Sequence, residues 1–310
     1  MIDRAHRRAW AERRRHLEER LWTERLRHTP EGQRVQPDMG AVMAGIGTVV
    51  RLSGMFGRGR RNALDVRLTE VEFRFPHLPA AFDGYRILFL SDLHVGDSPG
   101  NMAAALPLLE GLSHDLAVLG GDYQSWGKPA AAETARCVAP LLAALRPPDG
   151  VVAVLGNHDS HELVEPLEAL GVRLLLNESV AVTRGDQSIH LIGCDDVHMF
   201  YDHAAEAALR HGGGGFRVAL VHSPDFAGQA AAAGCALYLA GHTHGGQICL
   251  PGGRPVVTGL DRHHGLARGA WRLHAMQGYT STGLGSGEPA LRFNCPPEVA
   301  RVTLKKGASV

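Results

Sequence analysis

The sequence predicts an α/β fold with covered sheets, and three observations predict it. Five short apolar runs, at residues 86–90, 116–119, 151–155, 218–221 and 236–240, lack alternation, as strands buried on both faces do. Ala- and Leu-rich stretches around 101–112, 130–145, 162–170 and 203–211 read as helices between most of them, and such alternation builds helices over sheet faces. Apolar residues make up 45% of the 310 positions and charged residues 21%, enough core for one large domain with an appendage and the wrong balance for a disordered or fibrous chain.

Taken in order, residues 1–28 intersperse Arg with Glu and are expected to be helical. Trp10, Leu17, Leu21, Trp22 and Leu26 fall mostly on one face, and Thr29-Pro30-Glu31-Gly32 is expected to end the helix. The glycine-rich apolar stretch at 39–50 stops at Arg51, short of the roughly 20 apolar residues a membrane span needs. It lies too far in, behind too much charge, for a secretory signal. Gly57-Arg58-Gly59-Arg60-Arg61 marks a boundary, so residues 1–61 are expected to form a basic arm and 62–310 the main domain. Residues 64–75 alternate as an edge strand does, and Pro76 stops it. The β-rich stretches 172–193 and 290–304 extend the sheet or form a second one, and 212–215 is a surface loop.

Charge is unevenly placed. Residues 1–61 hold 14 Arg against 7 acidic residues, a net of +7, which leaves −7 on the remainder because the whole chain is neutral. A basic arm on an acidic body fits either an anionic partner, membrane or nucleic acid, or a solvated helix with no partner. The five cysteines, with no Cys-x-x-Cys pair, fit reduced buried thiols of a cytoplasmic protein rather than a disulfide framework.

Each of the five apolar runs ends in polar residues that can hold metal. These are Ser91-Asp92-Leu93-His94, Gly120-Gly121-Asp122, Gly156-Asn157-His158-Asp159, His222-Ser223 and Gly241-His242-Thr243-His244. Ligands bind at the carboxyl ends of strands in open α/β sheets, so five runs ending this way point to one site. Asp92 with His94, and His242 with His244, stand two apart, and in extended chain each pair would point the same way. Carboxylate, amide oxygen and imidazole together suit Mn²⁺, Fe²⁺ or Zn²⁺, and the lack of thiolate argues against a structural zinc site. Singly, any of these histidines reads as a core or surface residue; the ordered set overrides that reading. His114, His161, His190, His198, His211, His263 and His264 read as core or surface, with His161 and His198 the two to locate relative to the pocket, and Tyr201, Tyr238 and Trp271 read as packing.

In this order and spacing, over about residues 84–250, the sequence resembles the calcineurin-like metallophosphoesterases. The resemblance implies a four-layer sandwich of two mixed β-sheets flanked by helices, here preceded by an N-terminal helical arm. It implies two divalent metal ions, one held by Asp92, His94 and His244, the other by Asn157, His222 and His242, with Asp122 bridging. His158 would be the acid near the leaving group and Asp159 would orient it. Many relatives carry Gly-Asp-x-x-Asp at the second motif; here Ser125 stands at the last position.

Gly245-Gly246-Gln247, Ser281-Thr282-Gly283-Leu284-Gly285 and the run from Leu291 to Glu298 resemble a bacterial branch with membrane-associated phosphodiesterases, similar to enzymes cleaving UDP-2,3-diacylglucosamine in lipid A synthesis. That resemblance implies hydrolysis of a phosphodiester or pyrophosphate, small or lipid-linked, at the inner face of the membrane, with the arginine-rich arm resting on anionic headgroups. A nuclease would use the same centre, but Arg alternating with Glu makes no aromatic-basic groove, so nucleic acid ranks below lipid. A non-catalytic scaffold would lack ligands or the histidine acid, and none is missing here.

Overall fold

The computed structural model of the chain describes residues 4–36 and 40–308. The first three positions of the expected N-terminal helix, and Met39 of the apolar stretch, lie outside the described residues. Helix α1 (Arg4–Glu24) ends at Glu24 rather than at residue 28, because Arg25 takes a left-handed backbone conformation with φ 56°. Thr29 to Gly32 therefore turns a hairpin of β1 (Leu26–Thr29) and β2 (Gly32–Val35) and does not cap a helix. Next come α2 (Gly40–Leu52), α3 (Phe56–Asn62) and β3 (Arg67–Phe75), which is an edge strand as its alternation predicts.

Strand and helix then alternate through β4 (Tyr85–Leu90), α4 (Asn101–Leu109), β5 (Leu116–Leu119), α5 (Ala131–Ala144), β6 (Val151–Ala153), α6 (Val164–Ala169) and β7 (Val172–Leu174). A hairpin of β8 (Glu178–Arg184) and β9 (Gln187–Gly193) leads to α7 (His203–His211), β10 (Phe216–Leu220), α8 (Ala227–Ala232) and β11 (Leu237–Ala240). A second hairpin, β12 (Gly269–Leu273) with β13 (Met276–Thr280), precedes β14 (Glu298–Lys306).

The strands form two mixed six-stranded sheets, ordered β3-β14-β4-β5-β6-β7 and β12-β13-β11-β10-β9-β8. Phe89, Val118 and Val302 of the first sheet meet Leu191, Val218 and Leu239 of the second in the core between them. Leu88, Leu90 and Leu119 face outward to α4 and α5, and Ile192, Ala219 and Tyr238 face α7 and α8 on the other side. This is the four-layer sandwich, helix–sheet–sheet–helix. The five apolar runs are β4, β5, β6, β10 and β11, buried along nearly all their length.

Helix α1 lies against this body. Trp10, Arg14, Leu17 and Leu21, spaced for one helical face, are its buried residues. Leu17 and Leu21 pack on Met199 and Phe200, and the Trp10 indole N–H donates to Asp195 at 2.7 Å. Arg7 pairs with Glu178 at 2.7 Å and Glu168 at 3.1 Å. Among the described residues no helix is long and apolar enough to cross a membrane. All five cysteines are free; four are buried as expected, whereas Cys137 on α5 is exposed.

Candidate metal centre

The polar residues that follow β4, β5, β6, β10 and β11 converge at one rim of the sandwich, where the two sheets meet. His94 Nε2 lies 3.1 Å from His244 Nε2 and 3.6 Å from Asp122 Oδ2, and His244 Nε2 lies 3.6 Å from Asp92 Oδ1. On the other side of Asp122, its Oδ2 is 3.1 Å from His222 Nε2. His242 Nδ1 approaches Asn157 Oδ1 to 2.7 Å, and the His222 and His242 rings stand 5.3 Å apart. All seven sequence-predicted ligand positions are thus brought together. Asp92 with His94 and His244, and Asp92 with Asp122 and His222, each place their donor atoms within 4.8 Å of one another, close enough to share an ion.

The backbone reaches this arrangement by a route the sequence does not announce. Asp92, His94, Asp122, His242 and His244 all have positive φ, between 41° and 72°, so the paired residues converge through left-handed turns and not through extended chain. Left-handed backbone costs a non-glycine residue of order 1–3 kcal/mol and persists where surrounding contacts enforce it. Those contacts are on hand: Asp92 N–H donates to Gly121 O at 2.9 Å, His94 N–H to Asp122 O at 3.1 Å and His242 N–H to Asp92 Oδ1 at 2.9 Å. Gly156 is required beneath them, because a Cβ there would land on Oδ1 of Asp122.

Electrostatics suit a cation. Burial drives His94 down to about 3 and holds His158, His242 and His244 well below their usual range, so all four imidazoles are neutral, and those of His94, His242 and His244 keep a lone pair for a metal. Burial also pushes Asp122 up to about 7, against the pull of His222. For His222 the balance reverses: burial opposes charge, but the Asp122 and Asp92 carboxylates outweigh it and raise the ring to about 10. Oδ2 of Asp92 and Nε2 of His222 are buried without a hydrogen-bond partner. Buried polar atoms left without a partner cost free energy; a divalent cation would coordinate Asp92 Oδ2, and also His222 Nε2 once it displaced the proton that the neighbouring carboxylates hold on that ring. The residues present therefore fit the metals that the motif implies.

His158 and Asp159 are positioned differently from expectation. Asp159 does not orient the His158 ring. Its carboxylate accepts four main-chain N–H groups, those of Asp122 and Gly156 at 2.8 Å, Tyr123 at 2.8 Å and Gln124 at 3.0 Å, and so staples the second motif to the third. The ring's partner is Trp126, whose main-chain N–H donates to Nδ1 at 3.2 Å, while the indole packs at 4.4 Å. With Nδ1 accepting and the ring neutral, the proton sits on Nε2, which lies 4.0 Å from Asp122 Oδ2 and so faces the centre. Ser125 places its Oγ 3.0 Å from His94 Nδ1 and so steadies that ring.

The sequence reading missed three residues here. Arg14, 1% exposed, reaches from α1 to donate to the carbonyls of Gly156 at 3.1 Å and Asp159 at 2.8 Å, and pairs with Asp195. Its place in the buried stripe of α1 was the available signal. Trp126 carries no sequence signal beyond its nearness to Asp122. Arg292, fully buried, donates to Thr282 O at 2.7 Å and Ser286 Oγ at 2.9 Å. It braces a loop whose Leu284 and Gly285 N–H groups hold the carbonyls of Ser91 and Asp92 at 2.8 and 2.6 Å. Of the two histidines singled out, His161 binds Glu18 of α1 at 2.7 Å, and His198 packs 4.5 Å from the His242 ring.

Comparison with known proteins identifies the family. The family model described as calcineurin-like phosphoesterase matches residues 85–246, which span β4 through the last two ligands. The chain is 28% identical over 279 residues to YkuE, an uncharacterized metallophosphoesterase of Bacillus subtilis, covering 82% of this chain and 96% of that protein. It is 30% identical to the phosphodiesterase YaeI of Escherichia coli, covering 71% and 82% of the two chains. A more distant relative, at 24% identity with 76% and 88% covered, is the UDP-2,3-diacylglucosamine pyrophosphatase LpxG of Chlamydia muridarum. The chain belongs to the calcineurin-like phosphoesterase family and is a metal-dependent phosphoesterase.

Proposed function

We propose that this enzyme hydrolyses a phosphodiester or pyrophosphate bond with two divalent ions, Mn²⁺ in preference to Fe²⁺ or Zn²⁺. Asp92, His94 and His244 would hold one ion and Asn157, His222 and His242 the other, with Asp122 placed between the two sets. The observation that carries the reading is the position of Asp122 Oδ2, 3.6 Å from His94 Nε2 on one side and 3.1 Å from His222 Nε2 on the other. Two divalent ions held there would supply activation of water at neutral pH and neutralisation of phosphoryl charge. His158 faces the same space with a proton on Nε2, placed to donate a hydrogen bond to the departing oxygen, a contribution of up to roughly 10²–10⁴ in rate. Asp159 keeps the two loops in register, and Ser125 holds the His94 ring.

The proposed substrate is UDP-2,3-diacylglucosamine or a related lipid-linked pyrophosphate. The phosphodiesterase and pyrophosphatase relatives support this class. UMP release from that substrate by the Mn²⁺-loaded enzyme, absent in Asp122→Asn, is the expected result. Turnover of a simple phosphodiester with no UMP release removes the lipid substrate and leaves the two-metal chemistry.

Membrane contact is proposed for residues 1–61, but through a different helix from the one expected. Leu17 and Leu21 of α1 are spent on Met199 and Phe200, whereas α2 exposes Val42, Val49 and Leu52 with Arg51, and α3 after it exposes Arg58, Arg60 and Arg61. Apolar side chains rimmed by arginine suit an anionic leaflet. In flotation with phosphatidylglycerol vesicles, Val49→Glu with Leu52→Glu should leave the protein in the bottom fraction; unchanged flotation discards the contact.

A further inference from the structure

Two of the four tryptophans stand exposed beside the catalytic histidine. Trp126 is 39% exposed and Trp22, on α1, is 60% exposed. Their rings meet edge to face at 5.9 Å, and the Trp126 ring meets His158 at 4.4 Å. The Trp126 backbone is held in place with φ 54° by a turn in which Ser125 N–H donates to Lys128 O at 2.8 Å and Gly127 N–H to His158 O at 2.8 Å. Trp22 is the third member of a stripe on α1, after Arg14 and Glu18, one turn apart each. Arg14 grips the carbonyls of Gly156 and Asp159, Glu18 accepts from the main-chain N–H of His161 at 2.8 Å, and Trp22 closes on Trp126. Exposed indoles cost hydrophobic free energy, and an apolar patch kept at the mouth of a polar site is a mark of ligand binding.

We infer that Trp22 and Trp126 form a subsite for an apolar leaving group. The inference rests on the phosphoesterase reading above and names which part of the substrate this side takes. His158 addresses the oxygen that departs, so whatever that oxygen carries passes over Trp126 and onto Trp22. An indole pair offers such a group face and edge contact without a charge or a committed acceptor, so it selects apolar character over polar. That chemistry has two sources, a flat ring such as an aryl group or base, or a hydrocarbon chain. Placed on the N-terminal helix, half of this subsite belongs to a segment outside the matched family region.

Calorimetric titration of the metal-loaded full chain with methyl-, phenyl- and hexylphosphonate tests this, because their P–C bonds cannot be hydrolysed. Wild-type enzyme should bind the phenyl or hexyl compound about tenfold more tightly than the methyl compound. In Trp22→Ala and Trp126→Ala that preference should fall toward one, and Trp22→Phe should recover part of it. A phenyl-only preference identifies a flat ring, and a hexyl preference identifies a chain; either supports the subsite. Equal affinity for all three in the wild type, or a preference that survives both alanine variants, overturns it. If none of the three binds, the phosphoester site itself is refuted, an outcome distinct from loss of the preference alone.

Discussion

The guanidinium of Arg14 donates to the main-chain carbonyl of Gly156 across 142 residues of sequence, at 3.1 Å. One side chain of the N-terminal helix thereby holds the loop that carries Asn157 and His158. It also pairs with Asp195, and it lies 3.7 Å over the Phe200 ring. Removing one partner of a buried ion pair leaves the other charge uncompensated, at a cost of about 3–5 kcal/mol. Arg14→Met should lower the thermal midpoint sharply, and adding Asp195→Leu should recover part of the loss. A single variant as stable as wild type would show that the helix is only resting on the body.

Glu18 and His161 give this attachment a pH dependence. His161 is raised above its ordinary 6.5, chiefly by its bond to Glu18, so its contribution is complete below 6.5 and fades as pH climbs through the raised value. Glu18 is lowered from 4.5; burial opposes this, and the His161 bond with Arg14 outweighs it, so its contribution fades on acidification through the lowered value. Both are present between 4.5 and 6.5. The stability gap between wild type and His161→Ala should therefore be widest in that window and shrink above it. A gap independent of pH would remove the ion pair from the account.

His158 touches the proposed metal ligands through its main-chain N–H, which donates to Asp122 Oδ1 at 2.8 Å, through its ring 4.0 Å from Asp122 Oδ2, and through an edge-to-face contact with the His94 ring at 5.1 Å, and it offers none of them a shared ion. His158→Ala should keep both ions by metal analysis while kcat falls by roughly 10²–10⁴. Full turnover with metal retained would remove His158 from the mechanism.

Ser125 is a second test of how the ligands are steadied. A carboxylate at this position would accept the His94 Nδ1–H more strongly than the hydroxyl at 3.0 Å does. Ser125→Asp should slow metal loss to a chelator, by about tenfold on the scale such supporting contacts show. Faster loss would mean that the site is tuned around serine.

The strand ends and their ligands were legible because apolar runs and metal-competent residues are both rare enough to be read locally. The left-handed turns at Asp92, His94, Asp122, His242 and His244 were not, since non-glycine residues seldom adopt them and only long-range contacts enforce them. The role of α1 was half hidden. Arg14 stands in register with Trp10, Leu17 and Leu21, a position that should have marked it as buried, but its neighbouring arginines and glutamates read as a solvated face. The β12–β13 hairpin escaped because Arg272 and His274 interrupt it, and its pairing depends on β11. Asp159 was read as a partner of its neighbour in sequence, whereas its carboxylate spans to a loop 35 to 37 residues earlier.

Strand β14 lies between β3 and β4, parallel to the first and antiparallel to the second. A ribosome that has completed His244 has delivered all seven proposed metal ligands, yet the edge of β4, the strand that leads into Asp92 and His94, is still bare. Until residues 298–306 emerge, β3 has no neighbour and the nascent chain carries an open strand edge, the feature that invites pairing with another chain. The sheet that carries Asp92, His94, Asp122 and Asn157 at its strand ends is thus closed on this side only when β14 takes its place between β3 and β4.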